Sequence, residues 1–253
     1  MIGEAGQAFA VIADIHGNAD ALRAVLSDID ARAIGELVNL GDHFSGPLAA
    51  RETAEILMAR DIITIRGNHD RWLVEMEPAA MGASDRAAFD ALEPAHLAWL
   101  CALPATLHAA PDILLCHGTP DSDTTYWLEH LGPDGLPNRR PLGEISGYLA
   151  DPSAGLILCG HTHIPRRVDV PGGPVIFNPG SVGCPGYDDD TPFFHVMEAA
   201  TPAAAYGIVT RTQAGWRTEI HHVPYDTARM AAFAEAAGRA EWARALRTGF
   251  VTA

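Results

Sequence analysis

The chain has 253 residues, with 17 Lys and Arg against 32 Asp and Glu, a formal charge of −15. The apolar fraction is 48% and the mean hydropathy +0.04, as in an ordinary soluble globular protein. So large a negative excess argues against attachment to nucleic acid or anionic lipid by general attraction, which needs a basic surface. It does not exclude a phosphate-bearing small molecule, because a local site can invert the global field.

No segment approaches the roughly 20 apolar residues of a membrane span. The start, MIGEAGQAFAVIADIHG, has no basic region, and Asp14 and His16 interrupt its apolar run at once. No signal peptide is expected, and a cytoplasmic location is. Cys101, Cys116, Cys159 and Cys184 are too few and scattered for a disulfide framework or a CxxC metal site. Cys116 and Cys159 each close an apolar run, which suits buried, reduced thiols.

In chain order, Phe9–Ala13 reads as a buried strand. Ala21, Leu22, Val25, Leu26 and Ile29 then recur at helical spacing, with Asn18 as the N-cap. Leu37–Leu40 is a second strand, followed by a helix from about Pro47 to Arg60 and a third strand at Ile62–Ile65. Residues 71–103 read as helical, divided by Pro78 and Pro94. A strand is expected at Ile113–Cys116, a long Pro- and Gly-rich loop over 119–141, and another strand at Leu156–Cys159. Beyond Val168 the pattern becomes all-β, with strands at Pro174–Phe177, Phe193–Met197, Ala204–Thr210 and Trp216–His222. The Ala-rich stretch 226–247 predicts one or two helices. With no repeat and no linker, one domain over residues 1–253 is expected: an α/β fold of two packed mixed sheets with helices outside.

Polar clusters directly follow the apolar strands: Asp14-Ile-His16, Gly41-Asp42, Gly67-Asn68-His69-Asp70, His117-Gly118 and Gly160-His161-Thr162-His163. Residues beyond the carboxyl ends of strands line the ligand crevice of α/β sheets. Carboxylate oxygen and imidazole nitrogen are ligands for Mn, Fe, Zn and similar ions, and the lack of a Cys set argues against a thiolate zinc site. On a regular strand, Asp14 and His16, two apart, would point the same way, as would His161 and His163. Asp14, His16, Asp42, Asn68, His117, His161 and His163 are more ligands than one divalent ion takes. They suit two ions about 3.5–4 Å apart sharing a carboxylate, the arrangement used for in-line attack at phosphorus.

Together these motifs resemble the calcineurin-like metallophosphoesterase superfamily, in its small bacterial phosphoesterase branch. The likeness spans nearly the whole chain, and Phe177-Asn-Pro-Gly-Ser-Val-Gly183 adds a strand-turn segment similar to that branch. The resemblance implies a four-layer αββα sandwich with cap-like segments at about 71–110 and 119–150, where branches of the family differ. It implies one ion on Asp14, His16, Asp42 and His163, and a second on Asp42, Asn68, His117 and His161, with Asp42 bridging. The cofactors implied are two divalent or mixed-valence ions of Mn, Fe, Zn, Co or Ni, foremost Mn or Fe. A water between such cations loses a proton near neutral pH and attacks opposite the leaving group. His69 would be the general acid, and Asp70 would hold it in the useful tautomer. Arg66 is a candidate phosphate contact, with a salt bridge inside the fold as its alternative.

The expected activity is therefore dinuclear-metal hydrolysis of small phosphate mono- or diesters. Alternatives are a non-catalytic scaffold of the same fold, a protein phosphatase, or a dinucleoside-polyphosphate hydrolase. The net charge disfavours a nuclease acting on long polymers. His43 is expected behind the ligands or exposed, and Asp188–Asp190 in a solvated turn. His221 and His222 are expected on an alternating strand. Trp72, Trp99, Tyr126 and Trp127 are expected mainly to pack. Asn178 to Ser181 either border the site or form a structural turn.

Overall fold

The apolar runs read above become the central strands of two sheets. In the computed structural model, which describes residues 2–149, 151 and 153–252, the chain begins with β1 (Ala8–Ile12), α1 (Ala19–Ala31), β2 (Leu37–Asn39), α2 (Ala50–Met58) and β3 (Ile63–Thr64). Asn18 caps α1 by accepting the Ala21 backbone N–H at 3.0 Å, satisfying a donor the helix itself cannot pair. There follow α3 (Asn68–Glu75), α4 (Ala83–Ala91), α5 (Pro94–Ala102), β4 (Leu107–Ala110) and β5 (Ile113–Leu115). The middle of the chain adds β6 (Glu129–Leu131), β7 (Pro137–Arg139), α6 (Leu142–Gly147), β8 (Leu156–Leu158), β9 (Arg166–Asp169) and β10 (Val175–Asn178). The last elements are β11 (Gly186–Asp189), β12 (His195–Glu198), β13 (Ala204–Thr212), β14 (Gly215–Val223), α7 (Ala228–Ala236) and α8 (Ala240–Thr248).

The first sheet has the order β14-β13-β1-β2-β3, with β1, β2 and β3 parallel and β13 antiparallel to β1. The second has the order β4-β5-β8-β10-β9, with β5, β8 and β10 parallel and both edges antiparallel. Phe9, Val11 and Val38 of the first sheet pack on Ile113, Leu115, Leu156, Leu158 and Phe177 of the second. Burying each such side chain contributes about 1.5–3 kcal/mol. The other face of β1, Ala10 and Ile12, packs against Leu22, Val25, Leu26 and Ile29 of α1 and Ala54 and Leu57 of α2. The outer face of the second sheet, Leu114, Ile157 and Ile176, packs against Trp127 and Ile145. The result is the expected pair of mixed sheets with helices on the outer faces.

Three strands outside the expected loop escaped the sequence pattern. Two of them, β4 and β9, are edges of the second sheet, where one side needs no partner and the sequences (LHAA, RRVD) carry no continuous apolar run. The third, β11, pairs only with β12. The expected long loop at 119–141 contains the β6–β7 hairpin. Pro137 is tolerated there because β7 pairs on one side only. Residues 71–103 are helical as expected, and α5 begins at Pro94, a residue preset for the first helical turn.

Candidate metal centre

The parallel strands deliver their C-terminal residues to one place. Asp14 and His16 follow β1, Asp42 follows β2, Asn68 and His69 open α3 after β3, His117 follows β5, and His161 and His163 follow β8. Two groups form. In one, ligand atoms of Asp14, His16 and His163 lie within 4.8 Å of one another; in the other, those of Asp42, His117 and His161 do. His16 and His163 present their Nε2 atoms 3.1 Å apart, and His163 Nε2 is 3.5 Å from Asp14 Oδ1. Asp42 stands between the groups. Its Oδ2 is 3.1 Å from His117 Nε2 and 3.9 Å from His16 Nε2, while Oδ1 accepts the His69 backbone N–H at 3.0 Å.

The i, i+2 spacing places Asp14 and His16 in one group, as expected, but not His161 and His163, and a regular strand is not the reason. Asp14, His16, Asp42, His161 and His163 all lie past the strand ends at positive φ, between 49° and 71°. Non-glycine residues rarely adopt that conformation. In this left-handed backbone, His161 and His163 turn into different groups rather than sharing one.

Three of the four rings are aimed by their other nitrogen. The Nδ1 atoms of His16, His117 and His163 meet the backbone carbonyls of Ser45, Leu40 and Cys184 at 2.8, 2.8 and 2.7 Å. Donating from Nδ1 leaves Nε2 as a lone-pair donor toward the site. Burial and the neighbouring His163 push His16 down to about 4, and burial and His117 push His161 down to about 3. Both rings are therefore neutral at pH 7, the form that binds metal. For Asp42, burial favours the neutral acid, but the His117 and His69 rings outweigh it and hold the carboxyl well below the usual range. Burial likewise opposes charge on His117, but Asp42 and Asp14 outweigh it and raise the ring to about 9. The fit to divalent cations rests on donor chemistry and on orphaned atoms. Asn68 Oδ1 and His161 Nε2 are buried with no hydrogen-bond partner among the described residues, a costly state that a cation relieves.

Residues 8–201 match the model of the calcineurin-like phosphoesterase superfamily domain. The chain belongs to that superfamily. It is a phosphoric ester hydrolase, from a family that uses divalent metals. An uncharacterised protein of Methanocaldococcus jannaschii is 27% identical over 198 residues, covering 70% of this chain and 76% of that one. A metallophosphoesterase from Sphaerobacter thermophilus superposes with a TM-score of 0.71 at 25% identity, over 96% of this chain and 99% of the other. A hypothetical protein from Pyrococcus horikoshii has the same fold, with a TM-score of 0.74 at 19% identity over 96% and 98% of the two chains. No helix among the described residues is long and apolar enough to cross a membrane.

Two residues of the phosphoesterase stand apart from the expected site. Asp70 does not reach His69. Its carboxylate accepts the backbone N–H groups of Asp42, His43 and Gly67 at 2.8, 3.0 and 2.9 Å and lies 2.7 Å from His43 Nδ1. As the third residue of α3 it folds back onto the helix start, so it braces the Asp42 loop. Arg66 pairs with Glu75 at 3.4 Å and is not among the residues lining the cavity. The salt bridge is the alternative that holds.

The partner of His69 is Asp85, a residue the sequence reading missed. Asp85 Oδ1 is 2.7 Å from His69 Nδ1, and its side chain is 7% exposed. It sits in the first turn of α4, inside the cap-like segment, and no local motif marks it. Burial lowers the pKa of His69, but Asp42 and Asp85 outweigh that and raise it above the ordinary value.

A cavity of about 1100 Å³ opens over both groups. His69, Trp72, Tyr126, Arg140, Arg239 and Trp242 line it. Tyr126 and Tyr187 join hydroxyls at 2.9 Å, and Tyr126 reaches Nε2 of buried His195 at 2.9 Å. Their rings stand 4.9 Å from His161 and 4.7 Å from His163, respectively. Asp188 and Asp189 are exposed as expected, but they belong to β11 rather than a turn and line the cavity. Trp127 packs in the interior and half-buried Trp99 packs against Phe44, as expected, and His221 lies on β14 stacked on Tyr206. His43 is buried behind the ligands. Asn178 donates to the Gly160 carbonyl at 2.8 Å and so supports the His161 loop.

Gly41 and Gly67 let the Asp42 and Asn68 loops touch. A Cβ on Gly67 would stand 2.2 Å from Asp42 Oδ1, and one on Gly41 would stand 2.3 Å from the Gly67 nitrogen. Gly67→Ala is expected to destabilise the fold by about 1–3 kcal/mol and to weaken metal retention. Urea unfolding and elemental analysis of the dialysed variant read the two effects.

Proposed function

We infer that this phosphoesterase hydrolyses small phosphate mono- or diesters at a dinuclear centre, within one domain whose segments 71–110 and 119–150 form a cap. Asp14, His16, Asp42 and His163 hold one ion; Asp42, Asn68, His117 and His161 hold the other. The observation that carries this reading is the Asp42 carboxylate. One oxygen is anchored by the His69 N–H, and the other lies within 3.9 Å of a histidine from each group. Two bound divalent ions, foremost Mn or Fe, supply Lewis acidity toward phosphoryl oxygens and lower the pKa of an attacking water.

The chain's own residues do the rest. His69 has Nδ1 committed to Asp85, so Nε2 is the nitrogen left to donate a proton to the leaving oxygen. Asp85 fixes the tautomer and orientation of the ring and supports its charged form. Asp70 keeps the Asp42 loop in place. A complete ligand set together with an oriented His69 favours an enzyme over a scaffold of the same fold.

Purified protein supplied with Mn²⁺ is expected to hydrolyse p-nitrophenyl phosphate, bis(p-nitrophenyl) phosphate or p-nitrophenyl phenylphosphonate, and to hold about two ions per chain. Absence of turnover of every one of these esters with Mn, Fe, Zn, Co and Ni would sink the reading.

A further inference from the structure

One arginine of the cavity has no task in the mechanism above. Arg239, immediately before α8, lines the same cavity as His16, Asp42 and His69. Its Nη1 donates to Ser84 Oγ at 3.0 Å. Ser84 is the chain neighbour of Asp85, whose carboxylate holds His69. Its Nε donates to Glu241, and its guanidinium carbon stands 5.9 Å from the centre of the Trp242 ring. That ring in turn is 6.1 Å from the His16 ring. These contacts immobilise the guanidinium but leave Nη2 with no partner among the described residues.

Arg140, also on the cavity wall, is in a different state. It donates to the carbonyls of Tyr126, Trp127 and Glu129 and pairs with Glu144, so its fork is spent on the protein. Of these two arginines, Arg239 is the one with donor capacity left for a ligand. An arginine held still by its neighbours loses little further freedom when it binds an anion.

Ser84 and Arg239 lie on the cavity wall beside Asp85, which meets His69 at Nδ1, and Trp242 connects Arg239 to the His16 ring. The cavity of about 1100 Å³ has room for far more than one phosphoryl group. Elsewhere on its wall, Asp188 and Asp189 repel anions. We propose that the substrates are phosphate esters that carry a second phosphate, and that Arg239 binds this second phosphate. The proposal rests on the reading of this cavity as the hydrolytic site.

The test compares propyl phosphate with 1,3-propanediol bisphosphate, whose leaving alkoxides are closely matched, by phosphate release in Mn²⁺. A charge-assisted contact predicts that the wild type prefers the bisphosphate by about tenfold or more in kcat/KM. This exceeds the statistical advantage of two equivalent phosphates. In Arg239→Met the preference falls to that statistical value. Arg239→Lys keeps part of it, since the charge remains but the planar fork does not. A wild type without the preference, or a Met variant that retains it, overturns the proposal.

Turnover of p-nitrophenyl phosphate by the same wild-type sample reports separately on the phosphoesterase reading. Should that turnover be absent, calorimetric binding of 1,3-propanediyl bisphosphonate still judges Arg239. Tighter binding by the wild type than by the folded Met or Lys variant supports it; equal affinities overturn it.

Discussion

Asp42→Asn is expected to lower Mn²⁺-dependent turnover by more than about 100-fold and to reduce the bound metal per chain. Loss of an outer-shell partner alone costs about 10–100-fold in affinity or activity, and Asp42 is proposed as a direct ligand of both ions. The substitution removes the negative charge between the two histidine groups while leaving a side-chain oxygen to accept the His69 N–H. Folding should therefore survive, and the circular dichroism spectrum should match the wild type. Elemental analysis after dialysis gives the metal count, and initial rates on p-nitrophenyl phosphate give the turnover. If both were unchanged, Asp42 would not be the bridging residue.

His69→Asn should lower kcat by about 10²–10⁴-fold for poor leaving groups such as phenol, the range of general acid catalysis. The loss should shrink for p-nitrophenol, which departs without help. Asp85→Asn should show the same leaving-group dependence at smaller size, about 10–100-fold, as expected of a group acting through another. An amide in that place can turn its N–H₂ toward Nδ1 and favour the opposite tautomer. Nitrogen-15 NMR of the His69 ring in metal-free protein reads that tautomer directly. In a His69→Asn background, Asp85→Asn should cost nothing further. A full additional loss in the double variant would assign Asp85 a purely structural role.

These two expectations differ in how much of them the sequence carries. The seven candidate ligands and His69 are legible in the chain because each sits immediately beyond an apolar run, and a strand must end where its polar neighbours begin. The same runs foretell the two sheets, since Phe9–Ala13, Ile113–Cys116 and Leu156–Cys159 are too apolar to lie anywhere but between layers. Edge strands such as β9, with the sequence RRVD, are not legible, because half of their surface faces solvent and their hydrogen bonds are one-sided. Asp85 is not legible either. Its contact with His69 spans 16 residues, and it depends on how α4 packs beside α3.

Asp70 makes the same point in reverse. Adjacency in the motif made it the natural partner of His69, yet a helix start turns consecutive side chains in different directions, and Asp70 folds back onto the backbone of the Asp42 loop. The sequence by itself determined the family, the layered sheets and the chemical character of the site. Those properties follow from local apolar runs and from the residue types at their ends. Tertiary structure alone decided that His69 leans on Asp85, and that Arg66 pairs with Glu75 while Arg239 faces the cavity. Each of these depends on the direction of a side chain, which the packing of neighbouring elements sets.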